Sequence, residues 1–313
     1  MSTPRPGRRY LVVSPCKDEA DLLPVTAASM LAQTERPALW LVVDDGSDDR
    51  TPDLLRHLAS QHSWVRVLTR PAGTPRRLGS GVVEAFDAGL ASVGPLTDFD
   101  YVCKLDLDLR LPTSYFAGLM DLLEADHALA SVSGRPWFRR PDGTVAWERC
   151  GGENCVGMAK FYRREAYEDI GGFVPRLMWD GIDCHESRRR GWRSAAVPDD
   201  ALAFEHLRPM GSSDRGVLRG RRRHGHGQYL MGSSPLFVLA SAARRLADPP
   251  ALLGSLNMLA GWAWAAVTRV ERHGDQAFRS SLRRYQHESL VLGKHRATER
   301  TRQRAMAGRG GPA

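Results

Sequence analysis

The chain has 313 residues, 42% hydrophobic and 26% charged, the proportions of an ordinary globular protein with room for one large domain or a domain and an appended region. Its five cysteines are too few and too scattered for a disulfide framework, and Cys150 and Cys155 have no second pair at zinc spacing, so the thiols are expected to be reduced. The net charge of +8 is uneven, because residues 207–313 hold 19 Lys and Arg against 6 Asp and Glu. An acidic body with a basic C-terminal region suits an anionic partner, such as a membrane surface or a phosphorylated substrate. Nucleic acid is not the expected partner, since no helix-turn-helix, RRM or zinc-finger pattern is present. The reduced thiols suit a cytosolic protein, and the opening MSTPRPGRRY is basic but runs into a strand pattern without the apolar core of a signal peptide.

Residues 9–14 predict a strand that ends at Pro15. Residues 18–33 show helical spacing with Asp18 and Glu19 in the first turn, and Pro24 either kinks that helix or resets its start. Residues 39–43 and 65–69 predict strands on either side of a helix over 51–61, whose first turn holds Pro52. A basic, Gly-rich loop, PAGTPRRLGSG, leads to a helix over 82–92. Residues 101–105 predict a strand running into DLDLRLP, followed by a helix from Thr113 to about Asp126 and a strand over 129–133. Such βα alternation predicts a largely parallel, twisted sheet with helices on both faces. Ligands bind beyond the carboxyl ends of such strands, which places residues 15–19, 44–47 and 106–108 on one rim.

The second half is less regular. Residues 134–157 read as an irregular excursion, and 158–173 as a strand, a short helix and a turn at Gly171 and Gly172. Helices are expected over 183–190 and, broken near Pro235, over 228–246. Residues 251–267 (ALLGSLNMLAGWAWAAV) are apolar but short for a membrane span. Two readings stay open for them: an interfacial helix lying on a membrane, or a buried hydrophobic hairpin. Residues 294–313 are basic and Gly-rich and are expected to be disordered.

Three stretches carry chemistry: VVSPCKDE at 12–19, VVDDGSDDRT at 42–51 and KLDLDLRLP at 104–112. In this order, each at a predicted strand end, they resemble the opening strand, the D-D-G-S turn and the D-x-D motif of the family 2 glycosyltransferases. The resemblance covers roughly residues 8–210. It implies the GT-A fold, Rossmann-like, with a nucleotide-binding half over about 8–112 and an acceptor half over 113–210. The basic, helical C-terminal region over 211–293 and the tail then lie outside it. The implied activity is hexosyl transfer from a UDP-, GDP- or dTDP-linked sugar to a glycan or lipid-linked acceptor, as in cell-surface polysaccharide or glycoconjugate synthesis.

A nucleotide-sugar donor carries a diphosphate whose charge rises as the sugar leaves, and Mg2+ or Mn2+ held by carboxylates offsets that charge. Asp106 and Asp108 alternate along an extended segment, so their side chains diverge unless the chain bends. The resemblance makes Asp108 the better metal ligand and Asp106 the better ribose group. It places Pro15, Glu19 and Asp45, with Asp44, around the nucleoside, and Arg76 or Arg77 by the nucleotide or its phosphates. Ser47 and Asp48 read instead as turn and helix-capping residues. His206, in AFEHLRPMG, is a further candidate metal or diphosphate ligand by the same resemblance. RGRRRHGHGQYL over 219–230 suits either a lid on the diphosphate or a face for anionic lipid.

WDGIDCHESRRRGWR at 179–193 stands where the family has its catalytic acid, usually Glu-Asp before a helix. Here Trp179-Asp180 replaces that pair, while Asp183, Arg188 and Gly191 match its later part. An inverting transferase needs a carboxylate to take the proton of the attacking hydroxyl. Asp180 is the expected base and Asp183 the alternative. Three functions fit: transfer to a glycan or lipid-linked acceptor at the cytoplasmic face of a membrane, transfer to polyprenyl phosphate, or a degenerate domain that binds nucleotide sugar or membrane as a scaffold.

Overall fold

Strands β1 (Tyr10–Cys16), β2 (Leu39–Asp44), β3 (Val65–Thr69), β4 (Tyr101–Leu105), β5 (Leu109–Arg110), β6 (Leu129–Ser133), β7 (Pro136–Arg139), β8 (Val145–Trp147), β9 (Ala159–Arg163), β10 (Arg193–Ala196) and β11 (Phe204–His206) form two sheets. They come from a computed structural model that describes residues 7–71, 79–208, 216–247 and 250–309. The larger sheet runs β10-β6-β9-β4-β1-β2-β3, and the smaller runs β5-β11-β7-β8. Strands β1, β2, β4 and β6 are buried at every residue, which is why they read as continuous apolar runs rather than alternating ones. Neighbours in the larger sheet are parallel except β9, which is antiparallel to both β4 and β6.

Helices α1 (Leu23–Leu31), α2 (Thr51–Gln61), α3 (Ser80–Val93), α4 (Tyr115–Ala125) and α5 (Arg164–Asp169) connect these strands, and α6 (Trp179–Arg189) precedes β10. Helix α3 lies close on β1 and β2 because Gly89 has no side chain: a Cβ there would stand 2.8 Å from both Val13 and Val43. Helix α1 begins later than the pattern predicts. Pro24 falls in its first turn, where its missing N–H costs no bond, and Asp18 and Glu19 stand in the turn before it. The supposed excursion over 134–157 contains the β7–β8 hairpin, with Trp137 opposite Trp147 and Gly143 at φ 82° in the turn.

The described residues divide into two compact units, one within Met1–Asp180 and Arg193–Arg208, the other within Gly181–Trp192 and Pro209–Ala313. The second is helical: α7 (Val217–Met231), α8 (Pro235–Arg244), α9 (Ala251–Val267), α10 (Gln276–Leu292) and α11 (Lys294–Arg309). The helix expected over 228–246 is divided between α7 and α8. Gly232 ends α7 in the left-handed conformation, and Pro235 starts α8. Residues 294–309, expected to be disordered, form α11. Their Ala, Arg, Glu and Gln are good helix formers, and Ala297, Thr298 and Thr301 are buried. Among the described residues, no helix is long and apolar enough to cross a membrane.

Helices α7 and α9 meet backbone to backbone. A Cβ on Gly225 would stand 1.8 Å from the Met258 carbonyl oxygen, and one on Gly261 would stand 2.0 Å from that of Arg222. Neither carbonyl can move aside without shifting its helix. Gly225→Ala and Gly261→Ala are therefore each expected to destabilise the protein by about 1–3 kcal/mol. Thermal unfolding monitored by circular dichroism checks this, and an unchanged midpoint would mean the helices do not touch.

Candidate active site

Because β1 pairs in parallel with β2 and β4, their carboxyl ends release three acidic turns at one edge of the sheet. The first two turns are laced together. The Asp18 N–H donates to Ser47 Oγ at 2.9 Å, and the Asp48 N–H donates to Asp18 Oδ1 at 2.9 Å. The Glu19 N–H donates to Thr51 Oγ1 at 2.8 Å. Asp49 accepts from the N–H groups of both Ala20 and Thr51, at 3.0 and 2.8 Å. Asp18 holds φ at 55°, a cost offset by these bonds. Asp44 is 1% exposed and accepts from the Ser47 N–H at 3.0 Å, so it shapes the turn from inside. Asp45 is bound to Arg70 at 2.6 Å. Pro15 is buried within β1 opposite Val43. Arg76 and Arg77 lie outside the described residues.

The D-x-D segment sends its two carboxylates to different neighbours. The Asp106 N–H donates to the Met158 carbonyl at 2.8 Å, and its side chain accepts from Lys104 Nζ, which also donates to the Gly157 carbonyl at 3.1 Å. Asp108 instead leads into the smaller sheet. Its carbonyl accepts from the Leu207 N–H at 2.8 Å, and its Oδ2 accepts from Arg208 Nε at 3.0 Å. The same Oδ2 lies 3.4 Å from His206 Nε2, while His206 Nδ1 is 2.6 Å from Glu148 Oε1. Arg208 also donates to Glu19 Oε1 at 2.6 Å, joining the first and third turns.

Burial opposes the charged forms in this network, and the partners outweigh it. His206 is disfavoured as a cation by burial, but Asp108 and Glu148 raise it to about 9. Burial likewise opposes ionisation of Asp108, yet His206 and Arg208 hold its carboxyl below the usual range. Asp108 Oδ1 is buried with no hydrogen-bond partner among the described residues. No group of three His, Cys, Asp or Glu side chains among them is arranged as a metal cage. One orphaned carboxylate oxygen nevertheless matches the oxygen preference of a hard divalent cation.

Asp180 stands in the first turn of α6, after Met178, which has a φ of 68°. A Cβ on Gly157 would lie 3.0 Å from Asp180 Oδ2, so this carboxylate sits against the segment that binds Lys104 and Asp106. Lys160 Nζ donates to the Asp180 carbonyl at 2.9 Å. The ammonium groups of Lys104 and Lys160 lie 5.3 and 5.7 Å from the centre of the Trp179 ring, within cation–π range. Asp183 is 3% exposed, accepts from the Cys184 N–H at 2.7 Å, and belongs to the helical unit.

Residues 11–175, which build most of this edge, match the model of Glycosyl transferase family 2. The chain belongs to this family. Its mostly parallel sheet is that of the GT-A fold, shared with solved glycosyltransferases. The chain is 26% identical over 159 residues to a beta-monoglucosyldiacylglycerol synthase of Synechocystis sp., over 48% of this chain and 33% of that protein. It thus spans about a third of the curated relatives that it matches. A mannosyltransferase from Pyrobaculum calidifontis, solved with GDP-Man and Mn2+, superposes with a TM-score of 0.54 at 19% identity over 98% of this chain and 88% of that one. GalNAc-T7, solved with UDP, GalNAc and Mn2+, gives 0.53 at 13% identity, over 85% and 55%.

Sequence reasoning missed Glu148, Arg208, Lys104 and Lys160. A hairpin signal was present for the first: Pro141-Asp142-Gly143 between two tryptophan-bearing runs marks the turn that delivers Glu148. The lysines give no signal, because their burial depends on β4 and β9 pairing at Lys104 and Lys160. Glu148→Ala removes an acceptor from the buried His206 and is expected to destabilise the protein by about 1–3 kcal/mol. Glu205→Ala breaks pairs with Arg110 and Arg139, themselves 58% and 56% exposed, and is expected to cost less than about 1 kcal/mol. Urea unfolding of both variants checks the order.

Proposed function

We propose that this family 2 enzyme is an inverting, metal-dependent transferase that moves a sugar from a nucleotide-diphosphate donor to a lipid-linked or glycan acceptor. The observation that carries this reading is the gathering of Asp108, His206, Glu148 and Arg208 at the rim that also holds Asp106 and, beside Gly157, Asp180. Asp108, through its unpartnered Oδ1, would hold Mg2+ or Mn2+, His206 would join it only on giving up the Nε2 proton that Asp108 and Glu148 favour, and Asp106 would serve the ribose. When bound, the cation supplies neutralisation of the leaving diphosphate. Asp45 and Glu19 would face the nucleoside, with Asp44 and Pro15 shaping the turn and floor beneath it. Glu148 keeps the His206 ring oriented through Nδ1, leaving Nε2 toward Asp108. Arg76 and Arg77 remain candidates for the phosphates.

Asp180 would take the proton of the acceptor hydroxyl as that oxygen attacks. Its place in the first turn of a helix and its neighbour Gly157 support this role, whereas the burial of Asp183 and its bond with Cys184 favour a structural one. The similarity to monoglucosyldiacylglycerol synthases favours a lipid acceptor over a glycan. The reaction would take place at the cytoplasmic face of a membrane, with the protein held peripherally.

Transfer or hydrolysis assays across UDP-, GDP- and dTDP-sugars test the reading. Activity is expected with Mg2+ or Mn2+ and to be lost with EDTA or in Asp108→Ala. Asp180→Asn should lower turnover by about 10²–10⁴-fold while donor binding persists. Activity that survives both EDTA and Asp108→Ala would remove the metal role, and full turnover in Asp180→Asn would remove the base.

A further inference from the structure

Helix α9 buries Gly254, Ser255, Met258, Gly261 and Ala265 on one side. Its other side is as apolar as the buried one. Leu252, Leu253, Leu256, Trp264 and Val267 are each between 50% and 83% exposed, and no charged residue occurs between Ala251 and Val267. A helix packed on its own protein normally turns polar residues outward. Continuous exposed apolar surface marks a partner. Helix α8 adds Leu236 and Leu239, 59% and 55% exposed, and is tied to α9 by the bond from Ser255 Oγ to the Ala242 carbonyl at 2.8 Å.

We propose that the outer face of α9 seats the protein on an anionic lipid bilayer, lying in the interface without crossing it. A helix of 17 residues is about 26 Å long at 1.5 Å per residue, short of a hydrocarbon core of roughly 30 Å. Charge selects the occupant. Residues 216–272 carry eight Arg against two acidic residues. Arg219 and Arg222 on α7, Arg244 on α8, and Arg269 and Arg272 beyond α9 are exposed. That excess repels a second copy of the same surface and attracts anionic headgroups. Trp264 and the arginines after it have the amphipathic character of residues that settle at headgroup level. The inference deepens the proposed location of the reaction, but the binding itself needs neither donor nor acceptor.

The test is flotation of the full chain with vesicles of phosphatidylcholine alone or with about 30% phosphatidylglycerol. Binding is expected to the anionic vesicles, to be weaker to the neutral ones, and to weaken as salt rises. Leu253→Glu with Leu256→Glu should lower binding by about tenfold or more, with the thermal midpoint and donor hydrolysis in detergent-free buffer unchanged. Arg269→Glu with Arg272→Glu should lower binding to anionic vesicles only. The inference is overturned if the unaltered chain ignores both vesicles, if the leucine pair binds as well as the unaltered chain, or if light scattering shows a dimer that the leucine pair dissolves. Vesicle binding without any glycosyl transfer would retain this inference and sink the proposed reaction instead.

Discussion

Carboxylates taken out of water need cations close by, and the rim of the larger sheet is organised around that requirement. Glu19 and Asp108 share Arg208, Asp108 and Glu148 share His206, Asp106 has Lys104, and Asp45 has Arg70. Except for Lys104, two residues before Asp106, each cation reaches its partner from a different element, so the acidic turns are held largely by chain segments far apart in sequence. The smaller sheet matters for this reason. By pairing β5 with β11, and β7 with β8, it brings Asp108, His206 and Glu148 to one place.

The same compensation leaves one opening. Asp108 Oδ1 is buried and unpartnered among the described residues while Oδ2 is doubly engaged. An arrangement that satisfied every lone pair would be more stable, since an unmet buried acceptor costs about 1–3 kcal/mol. Elsewhere in the chain, Asp18 and Met178 hold φ at 55° and 68°, backbone conformations that also cost stability.

The helical unit follows a different logic. Its interior relies on glycine contacts between α7 and α9 and on Arg188, which is 1% exposed, lies 4.7 Å from the centre of the Tyr285 ring and is bonded to His185 Nδ1 at 3.0 Å. Burial and the adjacent Arg188 keep His185 well below its ordinary pKa, so its ring can accept from the guanidinium. One guanidinium is therefore buried inside this unit while leucines of α9 stand outside it.

The amino-acid sequence alone determined the βα alternation, the three strands that lead into the acidic turns, and the family, because continuous apolar runs and acidic turns are local patterns. The apolar run over 251–267 was legible too, and the structure makes it one helix, α9. Whether that run lies on a membrane as an interfacial helix or is a buried hydrophobic hairpin was left open, since a segment apolar all round has no sequence periodicity to orient it. Only the tertiary structure decided that one face packs on α7 through glycine and the other does not. Only the tertiary structure, too, joined Glu148 and Arg208 to Asp108 and turned the excursion after β6 into a hairpin. Those are long-range pairings, fixed by which strands become neighbours, and no window of sequence contains both partners.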